Sequence, residues 1–443
     1  MSEIDVPDFA VAAPARRYLR ATVAADLSRK MVFIGGPLQV GKTLLARSLL
    51  PRPDCELNYD IAAHRQAILK HQLPAGDFWF FDEIHKFRGW RNFLKGLFDE
   101  HGRDKRILVT GSVRLDLYRF GGDSLQGRYF QLRLHPFSVA ELGGHVDALP
   151  ALLALGGFPE PFLSSSERFA RRWALGYRER LIREEITSLE SVSDLGRLEL
   201  LALSLPDRVG SPLSINALRE DLQVSHQTVA RWTDILERVY AIFRVLPFGA
   251  PMLRAVNKAR KHYHYDWAVV LKAGARFENL VASHLLKWVE FQIDTEGRPL
   301  ERRYFRDIDG REVDFVITER QKPIALVECK LGDDAVTPAL KYLKARFPDV
   351  QACLESVVTT RNRRRLWLCS PFPAHQPSDA LVVDHPAQRL ADLWRHAPAC
   401  VAPTVQARKL RILTSLLSER RPPADDPARW APGCWRHPDC PGP

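Results

Sequence analysis

Residues near position 40 have the types and the spacing that bind a polyphosphate. An apolar strand, Met-Val-Phe-Ile, precedes the sequence GGPLQVGKT, and the helical run LLARSLL follows it. Because glycines let backbone N–H groups curl around phosphate oxygens, this G-x-x-x-x-G-K-T spacing between a strand and a helix predicts a phosphate-binding loop. Its predicted nucleotide contacts are Gly36, Pro37, Leu38, Gln39, Val40, Gly41, Lys42, Thr43 and Leu44.

Two side chains at the end of this loop have specific predicted roles. The Lys42 ammonium would reach the β and γ phosphates, and the Thr43 hydroxyl would bind Mg²⁺. The N-terminus of the following helix would add the positive end of its dipole. We therefore predict that the chain binds ATP together with Mg²⁺.

A second strand ends in two carboxylates. The stretch Asp-Phe-Trp-Phe-Phe-Asp-Glu has the continuous apolar run of a central parallel strand that is buried on both faces. Its carboxyl end would face the ligand crevice, where Asp82 would bind Mg²⁺ and Glu83 would polarise the attacking water.

Two further positions could act on the γ phosphate. The strand that begins at Ile107 ends in Thr-Gly-Ser, so Thr110 or Ser112 could sense the phosphate, although the same residues could form a simple turn. Arg128 could be a finger that stabilises transition-state charge on a neighbouring subunit, which requires a homo-oligomer. The alternative is an ordinary surface ion pair of Arg128 with a carboxylate.

A hairpin over residues 313–330 brings a different set of groups together. Alternating strands predict that Asp314 lies beside Glu328 and Lys330, and a preceding helix adds Glu278. Carboxylates suit a hard cation, so Asp314, Glu328 and Glu278 could bind Mg²⁺. Lys330 could then orient or deprotonate a water that attacks phosphorus.

Several alternatives apply to this hairpin. Glu312 is predicted on the same face as Asp314 and could replace it as a ligand, while Lys330 could simply neutralise Glu328. The C-terminal region could therefore cleave DNA, bind DNA without cleavage, or serve as a platform for a protein partner.

A helix-turn-helix pattern lies between these two groups of residues. Ser214 and Ser225 are placed as N-caps of two amphipathic helices, and the strand AIFRVLPF follows as a wing. The second helix would present His226, Gln227 and Arg231 outward near its start, where base edges are read. The same helices could instead serve as a packing module or lid.

Five motifs, GGPLQVGKT, FFDEIHKF, LVTGS, LQGR followed by LHPFSVAEL, and GGFPEPF, together resemble a bacterial and archaeal family of AAA-type ATPases. This resemblance implies a helical lid followed by a winged helix, and it implies that Pro159 lies near the adenine. It also implies a C-terminal domain of unknown function that has a restriction-endonuclease-like core.

The sequence thus predicts an α/β fold: a P-loop AAA-type parallel sheet with helices, a helical lid and a winged helix-turn-helix, then a smaller α/β restriction-endonuclease-like domain. The predicted boundaries are 1–148 for the ATPase core, 149–205 for the lid, 206–250 for the winged helix, 251–395 for the restriction-endonuclease-like domain, and 396–443 for a helix and a disordered tail.

Composition restricts the partners and the compartment. The 443 residues carry a net charge of +11, which favours double-stranded DNA or another polyanion, although Arg is also a common solvated surface residue. We expect a cytoplasmic protein with reduced thiols, because seven cysteines are scattered and the N-terminus is acidic. The apolar runs are too short for a membrane span. Cys434, His437 and Cys440 lack a fourth ligand for zinc.

Overall fold

The computed structural model describes residues 17–102, 104–111, 125–142, 148–187, 192, 194–249, 259–331, 336–360 and 363–367. The predictions for Ser112, for the C-terminal tail and for its cysteines and histidine lie outside the described residues.

The first part of the chain is a parallel sheet with helices. Its five strands have the order β2-β3-β4-β1-β5, and every pair of neighbours is parallel. All five residues of β1 and of β3 are buried, as the apolar runs predict for central strands. The elements are β1 (Met31–Gly35), β2 (Glu56–Asn58), β3 (Phe78–Asp82), β4 (Arg106–Thr110), β5 (Tyr129–Arg133), α1 (Arg20–Asp26), α2 (Lys42–Arg47), α3 (Ala62–Leu69) and α4 (Trp90–His101).

A helical segment follows this sheet. It consists of α5 (Ala148–Leu155), α6 (Pro159–Leu163), α7 (Glu167–Arg180), a π-helical turn (Leu181–Ile186) and α8 (Leu195–Ser204). Ser166 caps α7 by accepting a hydrogen bond from the Phe169 amide. The buried face of α7 stacks Trp173 on Tyr177, with ring centroids 4.8 Å apart, and this face packs on the core of the parallel sheet.

The next two helices are α9 (Ile215–Leu222) and α10 (His226–Arg238). Ser214 accepts from the Ala217 amide and Ser225 accepts from the Thr228 amide, so both helices begin at the predicted capping residues. The buried face of α10 holds the apolar residues that the periodicity predicts, namely Val229, Trp232 and Leu236. The interpretation of this segment as a winged helix remains a prediction.

The second sheet contains the predicted hairpin and also the predicted wing strand. Strand β6 pairs antiparallel with β7 and parallel with β8, so both strands continue the C-terminal sheet. The seven strands have the order β12-β11-β10-β9-β8-β6-β7. The elements are β6 (Ile242–Pro247), β7 (Lys261–His264), α11 (Ala273–Glu296), β8 (Leu300–Arg306), β9 (Glu312–Glu319), β10 (Lys322–Leu331), α12 (Pro338–Arg346), β11 (Gln351–Thr360) and β12 (Arg363–Trp367).

The 24-residue helix α11 lies between the two sheets. It packs on β5 of the first sheet and on β8 and β10 of the second, with Phe277, Leu286 and Val289 buried. Charged residues interrupt its apolar face, and among the described helices none is long and apolar enough to cross a bilayer.

Candidate nucleotide-binding site and C-terminal carboxylate cluster

Two glycines determine the backbone path of the predicted phosphate loop. Gly36 has a φ of +127° and Gly41 a φ of +96°, and residues with a side chain rarely adopt such positive φ values. A Cβ atom on Gly36 would lie 2.2 Å from the Leu134 carbonyl oxygen. The loop therefore turns tightly against the residue that follows β5, and it leads into α2 with Gly41 as the N-cap residue.

The Lys42 side chain is folded back onto this loop. Its ammonium donates to the carbonyl oxygens of Gly36 at 2.9 Å and of Pro37 at 2.7 Å, and the residue is only 8% exposed. Two backbone acceptors thus hold a buried positive charge directly beneath the turn that the motif predicts to surround phosphates.

Thr43 and Asp82 lie next to each other, as a shared Mg²⁺ site requires. The Thr43 hydroxyl donates to Asp82 at 3.0 Å, the Thr110 hydroxyl at 2.5 Å and the Asn58 amide at 3.2 Å. Burial raises the pKa of the Asp82 carboxyl, although the two hydroxyls lower it. Hydroxyl and carboxylate oxygens at this spacing fit a hard divalent cation. Asn58 lies outside the sequence motifs, so the sequence does not predict its contact with Asp82.

Glu83 occupies a left-handed backbone position directly after β3, with a φ of +56°. Its carboxylate lies 3.2 Å from the Lys86 ammonium and 3.7 Å from His85 Nε2. A non-glycine residue with positive φ is uncommon and often marks a functional turn. Its role with the attacking water remains a prediction.

Arg128 lies far from the phosphate loop of its own chain. It precedes β5, and the pairing of Met31 with Tyr129 places it at the opposite end of the sheet from Gly36. Its guanidinium makes two hydrogen bonds to Asp99 on α4, at 2.7 and 3.1 Å. This is the surface ion pair that the alternative predicts, and the trans-acting role remains a prediction.

Two arginines that the motifs do not include contact the phosphate loop. Arg17 is 4% exposed and donates to the Val40 carbonyl at 2.7 Å. Arg180, at the end of α7, donates to the Gln39 side chain at 3.2 Å. Pro159 is also close, since a Cβ on Gly41 would lie 3.7 Å from its ring. The periodicity of the sequence does not distinguish these two arginines from arginines exposed to solvent, so it does not predict their contacts with the loop.

The C-terminal hairpin arranges its three predicted residues only in part as expected. Asp314 accepts a hydrogen bond from the Cys329 amide at 2.8 Å. Glu328 is 3% exposed, accepts from the Thr337 hydroxyl at 2.6 Å and lies 3.4 Å from the Lys330 ammonium. Lys330 thus neutralises Glu328, in accordance with the alternative interpretation of this pair.

A buried lysine lies among the remaining acids. Lys261 on β7 is 1% exposed, and its ammonium lies 2.5 Å from Glu312, 3.3 Å from Glu278 and 3.7 Å from Asp314. We call these three acids the C-terminal carboxylate cluster. The Tyr263 hydroxyl also donates to Glu278, at 2.7 Å.

The electrostatics of this cluster are unlike those of an open metal site. Burial and the neighbouring Glu278 raise the pKa of Asp314 to about 7, although Lys261 opposes the shift. Within the described part of the chain, no group of three or more His, Cys, Asp or Glu side chains is arranged to hold a metal ion. Two unit charges 4 Å apart repel by about 4 kcal/mol at an effective dielectric constant of 20, so a buried ammonium disfavours a divalent cation beside it.

Three protein families match successive parts of the chain. Residues 28–143 match an AAA domain, residues 146–279 match the domain of unknown function DUF8612, and residues 273–374 match the domain of unknown function DUF4143. No curated protein sequence matches the chain.

Solved structures of three proteins are similar to the chain at low identity. The Aeropyrum pernix ORC1 protein in complex with DNA is 15% identical, with 64% of this chain and 95% of that one covered and a TM-score of 0.30. Drosophila ORC bound to DNA is 14% identical, with 63% and 95% covered and a TM-score of 0.21. A signal transduction ATPase with numerous domains and a tetratricopeptide repeat sensor, from Pyrococcus horikoshii, is 14% identical, with 65% and 47% covered and a TM-score of 0.19.

Three observations indicate the same fold for the N-terminal part: the strand order, the loop after β1 and the family match over residues 28–143. The N-terminal part of this chain therefore has a P-loop α/β fold of AAA type, and residues 28–143 are similar to AAA domains.

Proposed function

We propose that this protein binds and hydrolyses ATP and that its nucleotide state controls what its C-terminal region binds. The observation that carries the proposal is the loop that holds the Lys42 ammonium, with Thr43 and Asp82 hydrogen-bonded beside it. These groups are the ones that phosphoryl transfer requires for phosphate binding and for the metal.

Each group near the loop has a proposed task in hydrolysis. Lys42 would exchange its two carbonyl acceptors for phosphate oxygens, and Thr43 with Asp82 would hold Mg²⁺, which neutralises charge on the phosphates. Glu83 would orient the attacking water. Arg180 is close enough to Gln39 to add positive charge from the helical segment.

A chain of buried polar contacts supports control of the C-terminal region. Arg17 donates to the Val40 carbonyl in the loop at 2.7 Å and to Glu141 at 2.9 Å, and Glu141 pairs closely with Lys287 on α11. Burial raises the pKa of Glu141, but Lys287 and Arg17 lower it to about 2, so it is ionised at neutral pH. A shift of the loop backbone would therefore act on α11.

A second contact joins α11 to the strand beside β1. Arg133, the last residue of β5, donates to Asp294 at 2.6 Å and lies 2.9 Å from Glu290. Glu278 of the carboxylate cluster lies on the same helix as Lys287, about 14 Å along its axis. The helix thus connects the nucleotide-binding loop with the C-terminal cluster.

Double-stranded DNA is the proposed partner. The net charge of +11 favours a polyanion, and His226, Gln227 and Arg231 are exposed near the start of α10. The second candidate is a protein partner, which the exposed side chains of Leu200 and Leu203 on one face of α8 favour, being 55% and 51% exposed.

Substitution of Lys42 tests the nucleotide part of the proposal. We expect Lys42→Ala to abolish ATP hydrolysis, since it removes the ammonium that the loop holds for the phosphates, whereas Lys70→Ala, at an exposed lysine just after α3, leaves the rate unchanged. Phosphate release measured at saturating ATP distinguishes them. Hydrolysis by Lys42→Ala at the wild-type rate would overturn the proposal.

Duplex binding at several salt concentrations tests the partner. A logarithm of the association constant that falls linearly with the logarithm of salt concentration, and that changes between ATP and ADP, supports DNA as the ligand. If neither the ATP-bound nor the ADP-bound protein binds the duplex at low salt, a protein partner becomes the better candidate. Nicking of plasmid DNA with Mg²⁺ or Mn²⁺, compared between wild type and Asp314→Ala, tests cleavage separately.

A further inference from the structure

We infer that Lys261 is the built-in cation of the C-terminal carboxylate cluster, so that this centre is neutralised without a divalent metal and does not cleave phosphodiesters. The sequence predicts a metal-dependent site from the acids of the helix and the hairpin. The residue that changes this interpretation, Lys261, comes from the short strand before them.

The Lys261 backbone is held in place from two sides. On one side Lys261 pairs with Val245 of β6, and on the other it forms an isolated bridge with Pro212, which precedes α9. Its side chain is 1% exposed and its ammonium lies 5.6 Å from the centre of the Tyr304 ring. The ammonium therefore cannot leave the cluster by a simple rotation into solvent.

Each acid of the cluster contacts donors of the chain in addition to, or instead of, a second acid. Glu278 accepts from Tyr263 as well as Lys261, and Asp314 accepts from the Cys329 amide through its second oxygen. Glu312 lies 2.5 Å from Lys261 and 3.7 Å from Arg306. A divalent ion would have to displace these donors and remain close to a buried ammonium.

The space around the cluster is also restricted on its helical side. A Cβ atom on Gly210 would lie 2.8 Å from a Glu278 carboxylate oxygen, so the backbone before α9 closes directly on that acid. Glu328 accepts from the Thr337 hydroxyl and pairs with the Lys330 ammonium. The acid pair that a metal-activated water needs, Asp314 with Glu328, is thus divided between two cations of the chain itself.

The consequence for function is that the C-terminal region binds its partner without cutting it. Metal-dependent cleavage needs a cation that lowers the pKa of a bound water, and an ammonium held by three carboxylates cannot supply an open coordination position. This inference does not depend on ATP hydrolysis, because no residue of the phosphate loop takes part in it.

Binding of Mn²⁺ to nucleotide-free protein, followed by electron paramagnetic resonance, tests the inference. The Asp82→Asn substitution serves as background, because it removes the acid predicted to hold metal at the phosphate loop. In this background we expect no Mn²⁺ binding that depends on Asp314. Adding Lys261→Met, which keeps a long side chain but removes the charge, should create one Mn²⁺ site. Further addition of Asp314→Asn should remove this site.

Two outcomes would overturn the inference. One is Mn²⁺ binding in the Asp82→Asn background that is lost on Asp314→Asn, and the other is a folded Lys261→Met protein that gains no site. The first comparison does not need Lys261→Met to fold, so the inference remains testable if that variant is unstable. Asp314-dependent nicking of plasmid DNA by wild type would contradict it independently, whether or not the protein hydrolyses ATP.

Discussion

At the scale of single residues, the phosphate loop depends on a position where only glycine fits. Gly36 combines a φ of +127° with a contact that leaves no room for a Cβ atom. Steric exclusion and backbone strain act together at this one residue, so its substitution tests the loop without removing any charged group.

We expect Gly36→Ala to lower the free energy of unfolding by at least about 2 kcal/mol and to weaken ATP binding, because the new Cβ must push the Leu134 carbonyl away. Gly96→Ala on α4 is the matched control, since nothing lies within 4 Å of its Cβ position. Urea unfolding and nucleotide titration measure the two effects. Equal stability of the two variants would contradict the structural account of the loop.

Asp266 allows a prediction about pH. It lies before the short turn after β7, and burial raises its pKa to about 6. A raised folded-state pKa means that ionisation destabilises the fold, and this penalty grows from the unfolded pKa near 4 up to pH 6 and is complete above it. Asp266→Asn should therefore be more stable than wild type at pH 8 by about 3 kcal/mol, and by about half as much at pH 5.

Chemical unfolding of both proteins across this pH range measures the difference. Asn retains the oxygen that accepts from the Ala268 amide, so the substitution mainly removes the charge. A difference that stays constant with pH would show that burial does not raise this pKa.

The residues that sequence patterns identified are those with local spacing rules. Lys42, Thr43 and Asp82 meet because strand ends in a parallel sheet share one edge, which the motifs encode directly. Arg17 and Lys261 were not identified, because their roles arise from partners more than 15 residues away, such as Glu141 and Glu278. No periodicity distinguishes a buried, neutralised cation from an exposed one.

At the scale of elements, helix α10 shows how a single cap positions an exposed surface. Ser225 accepts from the Thr228 amide at 3.1 Å and contacts the Thr228 hydroxyl at 2.8 Å, which fixes where the helix begins. His226 and Gln227 follow immediately, so the cap also determines where the proposed DNA-reading residues lie.

We expect Ser225→Ala to destabilise the fold by about 1 kcal/mol, because the first turn of α10 loses its side-chain acceptor. Ser225→Asp retains an acceptor and should remain within a few tenths of wild type. Thermal unfolding measures both. An alanine variant as stable as wild type would mean that the cap does not define this helix.

The sequence predicts which segments are helices or strands better than it predicts which strands pair with each other. Hydrophobic periodicity and serine caps located α9 and α10, and apolar runs located β1 and β3. The partner of β6 was not predictable, because its ladder to β8 joins residues such as Leu246 and Arg303 that are far apart in sequence. A wing and an interior sheet strand have the same alternating pattern.

At the scale of the whole molecule, one helix is shared by two sheets through buried charges. The Lys287 ammonium has the Pro136 carbonyl at 3.0 Å, the Ser138 hydroxyl at 2.9 Å and the Glu141 carboxylate as acceptors. Breaking a buried ion pair by removing one partner costs about 3–5 kcal/mol. We therefore expect α11 to move together with the segment that holds Glu141.

We expect the double variant Glu141→Gln with Lys287→Met to hydrolyse ATP but to lose the effect of ATP on α11. Removing the Lys287 charge as well avoids leaving that ammonium buried without its carboxylate, and the Gln side chain at position 141 keeps an oxygen that can accept from Arg17. Hydrogen exchange of α11 amides with ATP and with ADP is the measurement, and Lys272→Met, an exposed lysine just before the same helix, is the control. A nucleotide effect that survives in the double variant would show that coupling follows another route.

The β6 strand has a consequence for how such chains can evolve. Because β6 hydrogen-bonds to β7 on one edge and to β8 on the other, genetic recombination between positions 247 and 261 would expose two open strand edges. We therefore expect the helix pair and the C-terminal sheet to be inherited as one unit. A chimaera that joins either half to that of a distant homologue should aggregate unless both ladders are matched.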